Sequence, residues 1–339
     1  MLSAREKIVL GEIVQHYISS AMPVSSSLIA RRSHLGMSPA TIRNIMAALE
    51  YKGYIYQPHP SAGRVPNTRG YRVYVDDLMK RARLSVEERH SIRETVQQTV
   101  TEFDEVLKEV SRILAHLAKQ LGIIISPRIE EGVFERMEIV PISAERILVV
   151  ISIQSGLVKT IILELNSIIP REKLQLVNQI LNERLYGMKL VDIRKKFMDI
   201  VKDMRNEESG LIRLILTHAN RLFDFEEDIE MYYMGAHYMV QQPDFPNVEK
   251  VSSVVEVLED PRVMLHLLEE SNEQQVSVRI GEEIREKRLQ NCSIITARYQ
   301  IGSVSGTLGV IGPTRMNYSK LVVLVDYTAR TITDVLNKN

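Results

Sequence analysis

Two polar side chains that can read base pairs stand next to each other in a predicted helix of small residues. Ser38 can accept hydrogen bonds from the free N–H groups of the first turn, and Pro39 is tolerated at the first helical position. The buried stripe should consist of Ile42, Ile45, Met46 and Leu49, and the opposite side of Ala40, Thr41, Arg43, Asn44 and Ala47. Arginine and asparagine can bind the edges of guanine and adenine, and small neighbours let a helix enter the major groove. The chemistry that suits this segment is the recognition of base pairs.

A loop rich in turn-forming residues follows that helix. Residues 54–56 alternate like a short strand, residues 58–64 read Pro-His-Pro-Ser-Ala-Gly-Arg, and a second strand begins at Val65. We expect three loop residues to reach phosphates or a minor groove, namely His59, Ser61 and Arg64. A solvated loop histidine is the alternative for His59. Thr68 should cap the helix that closes the module.

Two helical segments precede the helix of small residues. Residues 4–19 carry apolar side chains at helical spacing, Pro23 ends that helix, and Ser25 or Ser26 can cap a second one. Three helices and a β-hairpin within residues 1–83 form the pattern of a winged helix-turn-helix domain. Ser26, Arg31 and Ser38 should join the loop residues in positioning the module on a DNA backbone, while Thr41, Arg43 and Asn44 contact bases. Winged helices also bind proteins, so a protein-binding adaptor is the alternative.

The chain has no net charge, but its charges are unevenly distributed. Residues 1–83 contain 12 Lys and Arg against 5 Asp and Glu, whereas the remainder contains 31 against 38. The first quarter is therefore +7 and the rest −7, which favours a polyanion as the partner of the first module. A solvated face with a chance imbalance is the alternative.

The composition is that of a folded globular protein. The 339 residues are 45% hydrophobic and 25% charged, which excludes a disordered or fibrous chain. A single cysteine excludes a disulfide framework and a cysteine-based zinc cluster. Charged residues at positions 5–7 precede any apolar run, and later apolar runs are too short to span a bilayer. We therefore expect a cytoplasmic protein without a signal peptide or a membrane partner.

The remaining residues predict an α+β body. Residues 85–88 form a capping box, and apolar residues repeat to position 121, so we expect one helix of roughly 50 Å that Gly122 closes. This helix is either a spine that pairs with a second subunit or a helix packed on a sheet. Strands are expected at 133–140, 146–153, 158–165, 276–280, 292–299 and 304–311. Helical spacing fills 171–223, 247–258, 261–270 and about 316–336. This order predicts an α+β domain that a helical insertion interrupts.

No motif of an enzyme active site stands out. The sequence has no H-E-x-x-H, P-loop or EF-hand pattern, and its histidines lack metal-ligand spacing. Gly302, Gly306, Gly309 and Gly312 do not have dinucleotide-loop spacing, so turns and close packing explain them better. Cys292 should be a buried structural thiol. We expect no catalytic residue, metal, cofactor or enzymatic activity.

Several segments resemble the HrcA family of heat-inducible transcription repressors. They are PVSS at 23–26, SPATIRNIM at 38–46, QPHPSAGRVP at 57–66 and GYR at 70–72, together with LGVIGPTRM at 308–316 and Tyr318. The resemblance implies a dimeric repressor of chaperone operons that binds an inverted-repeat operator, called CIRCE, in double-stranded DNA. It also implies that the chaperonin GroEL maintains the active state. The fold it implies is a GAF-like domain with an inserted dimerisation domain.

These expectations divide the chain into four segments. Residues 1–83 should form the winged-helix DNA-binding domain, and residues 84–166 the first part of the GAF-like domain, with the long helix and three strands. Residues 167–245 should form the inserted dimerisation domain, and residues 246–339 the second part of the GAF-like domain. The alternative function is a transcriptional regulator gated by a metabolite, which its GAF-like domain would sense.

Overall fold

The structure is a computed structural model that describes residues 2–32, 36–98, 103–165, 169–204, 211–218, 222–223, 230–245, 248–269 and 276–338. Helices and sheets share the chain, so the predicted mixture of α and β structure is confirmed. The chain divides into two units, of which the first consists of Met1–Ile125, Met231–Arg298 and Thr307–Ile332. The second consists of Ser126–Glu230, Tyr299–Gly306 and Thr333–Asn339. The domain boundaries expected near residues 83, 166 and 245 stay predictions.

Three helices and a two-stranded sheet begin the first unit. The helices are α1 (Ala4–Ser20), α2 (Ser26–Arg32) and α3 (Pro39–Tyr51), and β1 (Ile55–Tyr56) pairs antiparallel with β2 (Val65–Pro66). Ser38 caps α3 because its Oγ accepts the Thr41 N–H at 3.1 Å. The predicted helices and strands of this module are therefore confirmed.

The helix that closes the module is α4 (Thr68–Val73), which continues as a π-helical turn over Tyr74–Leu78. Its cap is Asn67, whose Oδ1 accepts the Gly70 N–H at 3.0 Å. The Nδ2 of Asn67 also donates to the Gly53 carbonyl at 2.9 Å. The prediction that Thr68 is the cap is wrong, since the preceding asparagine can cap the helix and bind the turn after α3 at once.

The later elements follow in chain order. Helices α5 (Val86–Gln98) and α6 (Phe103–Ala118) precede strands β3 (Leu121–Ile125), β4 (Phe134–Ser143), β5 (Arg146–Ile153) and β6 (Val158–Glu164). Next come α7 (Arg171–Leu185), α8 (Leu190–Ile200), α9 (Leu211–Thr217), β7 (Met231–Met234), α10 (Ala236–Val240), α11 (Val248–Leu258) and α12 (Pro261–Glu269). The chain continues with β8 (Val276–Ile280), β9 (Cys292–Ile301), β10 (Val304–Pro313) and α13 (Tyr318–Leu336). Most of these match the predicted segments to within a few residues, but β3, β7 and α10 were not predicted.

The single long helix expected to reach Leu121 is wrong. Ser85 does open a helix, because its Oγ accepts the Glu88 N–H at 3.1 Å. However, α5 packs against α6, which two parts of one straight helix could not do, and α6 ends at Ala118. The next residues form β3, a fully buried strand in which Gly122 is an interior residue and not a cap. Three successive isoleucines favour a strand here, because β-branched side chains fit a pleated surface.

A five-stranded sheet in the order β7-β3-β10-β9-β8 forms the centre of the first unit. Helix α6 packs on β3 and β7. Among the described residues, no helix has the length and apolar character needed to cross a membrane.

Segments near the two ends of the chain meet in the first unit. The rings of Tyr71 and Tyr318 lie with centroids 5.9 Å apart. The Arg72 Nε donates to Glu283 at 2.8 Å. The Arg315 Nε donates to Asp244 at 2.8 Å, and its Nη1 lies 3.4 Å from the Ile18 carbonyl of α1. The N-terminal module is therefore anchored to residues contributed by the last third of the chain.

The second unit contains a three-stranded antiparallel sheet in the order β4-β5-β6. Helix α7 packs against β4, and alternate residues of β5 (Ile147, Val149, Ile151) are buried. The register places Val140, Leu148 and Ile162 side by side on the opposite face. Val140 is 43% exposed and Ile162 is 48% exposed. One face of this sheet thus carries a row of partly exposed aliphatic side chains.

Replacing Gly70 by alanine should destabilise the N-terminal module. A Cβ at this position would lie 2.2 Å from the Tyr54 carbonyl oxygen, a backbone atom that cannot easily move. We expect a loss of about 1–3 kcal/mol in the free energy of unfolding, measured by chemical denaturation. Gly11→Ala in α1 is the matched control, since its nearest neighbour is a side-chain atom of Leu78 at 3.9 Å. The control should gain up to about 1 kcal/mol, and equal stability of both variants would contradict the packing argument.

Candidate nucleic-acid interface

Helix α3 presents an exposed stripe of small and polar side chains. Ile42, Met46 and Leu49 are buried, and Ile45 is half-buried. Ala40, Arg43, Asn44 and Ala47 are exposed, whereas Thr41 is half-buried. The Thr41 Oγ1 lies 2.9 Å from the Ser38 Oγ, so these two hydroxyls are hydrogen-bonded to each other at the start of the helix. The predicted division of α3 into a buried and an outward side is confirmed.

Arg43 and Asn44 have no structural partner among the described residues. Both side chains are exposed, and neither takes part in an intramolecular hydrogen bond or ion pair there. Both side chains, a guanidinium and an amide without a partner in the described part of the chain, are therefore available to an external ligand. Their neighbours Ala40 and Ala47 leave room for that ligand to approach the helix.

The loop between β1 and β2 is held by Gln57. Its Nε2 donates to the Pro60 carbonyl at 2.7 Å and to the Ala62 carbonyl at 2.9 Å. His59 and Ser61, two of the predicted contact residues, are exposed at the tip of this loop.

Two other predicted contact residues are less accessible. Ser26 lies in the first turn of α2 and is only 7% exposed. Arg64 is bound by Glu50 of α3, with its Nη2 2.8 Å from the Glu50 Oε2. Arg31 is exposed near the end of α2. The DNA contacts of the nine residues stay predictions.

Several carboxylates of the module are paired with lysine or arginine side chains. Glu6 accepts a hydrogen bond from the Lys52 Nζ at 2.7 Å, and this contact lowers the pKa of Glu6 to about 2. Asp77 pairs with Lys7 at 2.7 Å, and Glu50 pairs with Arg64. Because these carboxylates are matched locally, the positive potential of the module arises from cations such as Arg31 and Arg43.

Three residues that matter for this surface were not among the predicted contacts. Tyr51, at the end of α3, is 93% exposed and follows Ala47 by four residues, so helical spacing could have placed it on the same stripe. Gln57 and Glu50 act through hydrogen bonds to the loop, which only the folded chain reveals.

The surroundings of Cys292 and Gly309 indicate packing roles for both residues. Burial raises the pKa of the Cys292 thiol to about 12, which keeps it protonated and unsuited to nucleophilic chemistry. A Cβ on Gly309 would lie 2.3 Å from the Ile295 carbonyl oxygen, so close strand packing explains this glycine. In the part of the chain that the structure describes, no group of three or more potential ligands could hold a metal ion.

Comparisons with known proteins cover almost the whole chain. A family model described as the HrcA protein C terminal domain matches residues 104–322. A heat-inducible transcription repressor HrcA from Chlorobium phaeobacteroides is 40% identical, over 99% of this chain and 98% of the relative. Another from Chlorobaculum tepidum is also 40% identical, over 100% of this chain and 98% of the relative.

A crystal structure of a hypothetical protein at 2.2 Å resolution shares the fold, with a TM-score of 0.60 and 24% identity over 100% of this chain and 99% of that one. The fold likeness alone assigns no activity. The family model, however, matches more than half of the chain, and both repressors are similar along nearly their full lengths. The chain therefore belongs to the HrcA family of heat-inducible transcription repressors.

Proposed function

We propose that the chain represses transcription by binding an inverted-repeat operator, the CIRCE element, in double-stranded DNA as a homodimer. Residues 1–83 act as a winged helix-turn-helix domain, and α3 is its recognition helix. The observation that carries this proposal is a pair of exposed side chains between two alanines on α3, Arg43 and Asn44, which have no partner among the residues that the structure describes. Such a helix can enter the major groove, where arginine and asparagine discriminate guanine and adenine.

The dimensions of the module suit this role. The 13 residues of α3 extend for roughly 20 Å, which is enough to follow the floor of a groove about 12 Å wide. Ser38 and Thr41 lie at the N-terminal end of the helix, where free N–H groups and hydroxyls can meet a phosphate. Arg31 and the loop residues His59 and Ser61 contact the backbone on either side. Tyr51 extends the same stripe toward the other end of the helix.

Two modules are needed to bind an operator tightly. A single module of this size buries only about 600–1,000 Å² on DNA. A two-fold dimer presents two recognition helices to the two halves of an inverted repeat. Its operator affinity rises because binding of the first module raises the effective concentration of the second. The aliphatic row on the β4-β5-β6 sheet supports a second copy of the chain as its partner, because isolated patches of this kind bury themselves against a complementary face.

The remaining fold assignments are part of the same proposal. The five-stranded sheet with α6 on one face supports a GAF-like domain. Helices α7 and α8 lie in the second unit, apart from the five-stranded sheet, which supports a separate dimerisation domain that includes them. The chaperonin GroEL maintains the active state, as the resemblance to the family implies.

Arg43→Ala should weaken operator binding and relax the base preference. If Arg43 reads a base, the loss should be about 1–3 kcal/mol for the operator and much smaller for an unrelated duplex. Fluorescence anisotropy with both duplexes at one fixed salt concentration measures the difference. An equal loss for both sequences would reassign Arg43 to a phosphate contact.

Ile162→Glu should convert the dimer into a monomer. A carboxylate in the middle of an apolar interface is left without a partner, which costs several kcal/mol of association free energy. Sedimentation velocity measures the oligomeric state, and the same preparation should bind the operator at least tenfold more weakly. Val86→Glu is the control, since Val86 is 68% exposed on α5 in the first unit, outside the proposed dimerisation domain. An unchanged dimer in the Ile162 variant would place the interface elsewhere.

Purified GroEL should raise the fraction of repressor that binds operator DNA. Repressor briefly heated and cooled can be titrated with labelled operator, with and without the chaperonin. The chaperonin dependence is rejected if the active fraction is the same in both samples.

A further inference from the structure

We infer that Arg64 is a positioning residue that fixes the loop between β1 and β2 against the recognition helix, and does not bind a DNA phosphate. This inference rests on the proposed DNA binding. We call residues 55–66 the wing, and the contacts of Arg64 with Glu50 and Val24 the wing clamp. The clamp determines where His59 and Ser61 stand relative to Arg43 and Asn44.

The side-chain half of the wing clamp joins the wing to α3. The Arg64 Nη2 lies 2.8 Å from the Glu50 Oε2, and its Nε donates to the same oxygen at 2.9 Å. Glu50 belongs to the last turn of α3. The Arg64 side chain is 20% exposed and that of Glu50 is 34% exposed, so the pair is partly shielded from water. Partial shielding strengthens the interaction relative to a fully solvated pair.

The backbone half joins the wing to the turn between α1 and α2. The Val24 N–H donates to the Arg64 carbonyl at 2.9 Å, and the Arg64 N–H donates to the Val24 carbonyl at 2.8 Å. A Cβ on the adjacent Gly63 would lie 2.5 Å from the carbonyl carbon and oxygen of Val24, so only glycine allows this approach. Arg64 is therefore held by its backbone and by its side chain.

The loop that the clamp supports is already ordered. Two hydrogen bonds from Gln57 and one from the Ala62 N–H to the His59 carbonyl, at 2.9 Å, fix its path. A clamped, internally bonded loop has little conformational entropy to lose when it meets a ligand. Because the loop is internally ordered, anchoring it at Arg64 also fixes the orientation of its exposed tip.

The charge balance argues against Arg64 as a phosphate ligand. If its guanidinium moved to a phosphate, the Glu50 carboxylate would be left unpaired close to the DNA backbone, where like charges repel. In the clamp, the charges of Arg64 and Glu50 neutralise each other and the wing keeps its position against α3. Arg43, whose side chain has no carboxylate partner among the described residues, meets no such competition.

Glu50→Ala distinguishes a positioning role of Arg64 from a phosphate-binding role, because the two predict opposite changes in operator affinity. If Arg64 is a positioning residue, Glu50→Ala and Arg64→Ala should each weaken operator binding about 3- to 30-fold, and the double variant should be no weaker than the worse single variant. The slope of log K against log salt should stay that of the natural protein, because neither substitution removes a lysine or arginine that binds a phosphate. Asp77→Ala is the matched control: it also removes one negative charge from the module, and Asp77 pairs with Lys7 outside the wing. The affinity of the Asp77→Ala variant for the operator should be unchanged or slightly higher.

The opposite pattern overturns the inference. If Arg64 binds a phosphate, Glu50→Ala should tighten binding by freeing the guanidinium, and Arg64→Ala should reduce the salt slope by about 1. A second measurement without DNA is hydrogen exchange at the amides of Val24 and Arg64. These should exchange at least tenfold faster in both variants than in Asp77→Ala, and unchanged protection would also overturn the clamp. Failure of the natural protein to bind the operator is a distinct result, which rejects the proposed function itself.

Discussion

The burial of one side of α3 is the constraint on which the proposed DNA-binding surface depends. Ile42, Met46 and Leu49 are inside the module, and burying each side chain contributes about 1.5–3 kcal/mol. Since a helix turns by 100° per residue, fixing these three residues also fixes the direction of Arg43 and Asn44. The side chains of Arg43 and Asn44, which we propose to contact bases, therefore need no contacts of their own to be oriented. Their lack of partners among the described residues is compatible with a defined position.

Local signals in the sequence were sufficient for most elements. The Ser38 cap, the Ser85–Glu88 box and the alternating pattern of β5 each depend on residues a few positions apart, and all are found in the structure. The exposure of Arg43 and Asn44 followed from helical spacing in the same way. These features can be predicted from the sequence because the residues that cause them lie only a few positions apart.

Features that depend on distant partners could not be read in this way. Strand β3 pairs with β7 and β10, which begin more than a hundred residues later, so local spacing does not reveal its neighbours. The engagement of Arg64 by Glu50 required the wing to fold back on α3. The bond from Asn67 to the Gly53 carbonyl crosses the hairpin, so local spacing could not show that Asn67 has a second partner besides the helix it caps. From the sequence, both arginines were predicted to contact DNA, Arg43 at bases and Arg64 at the backbone, and the structure shows that only Arg64 has a carboxylate partner among the described residues.

Contacts between residues far apart in the sequence have a consequence for biosynthesis. Tyr318 and Arg315 contact Tyr71 and the end of α1, and they leave the ribosome more than 200 residues later than these partners. A nascent chain therefore carries α3 long before the module has its full anchorage. In this protein, synthesis at least as far as Tyr318 is a structural requirement for the mature arrangement of the first module.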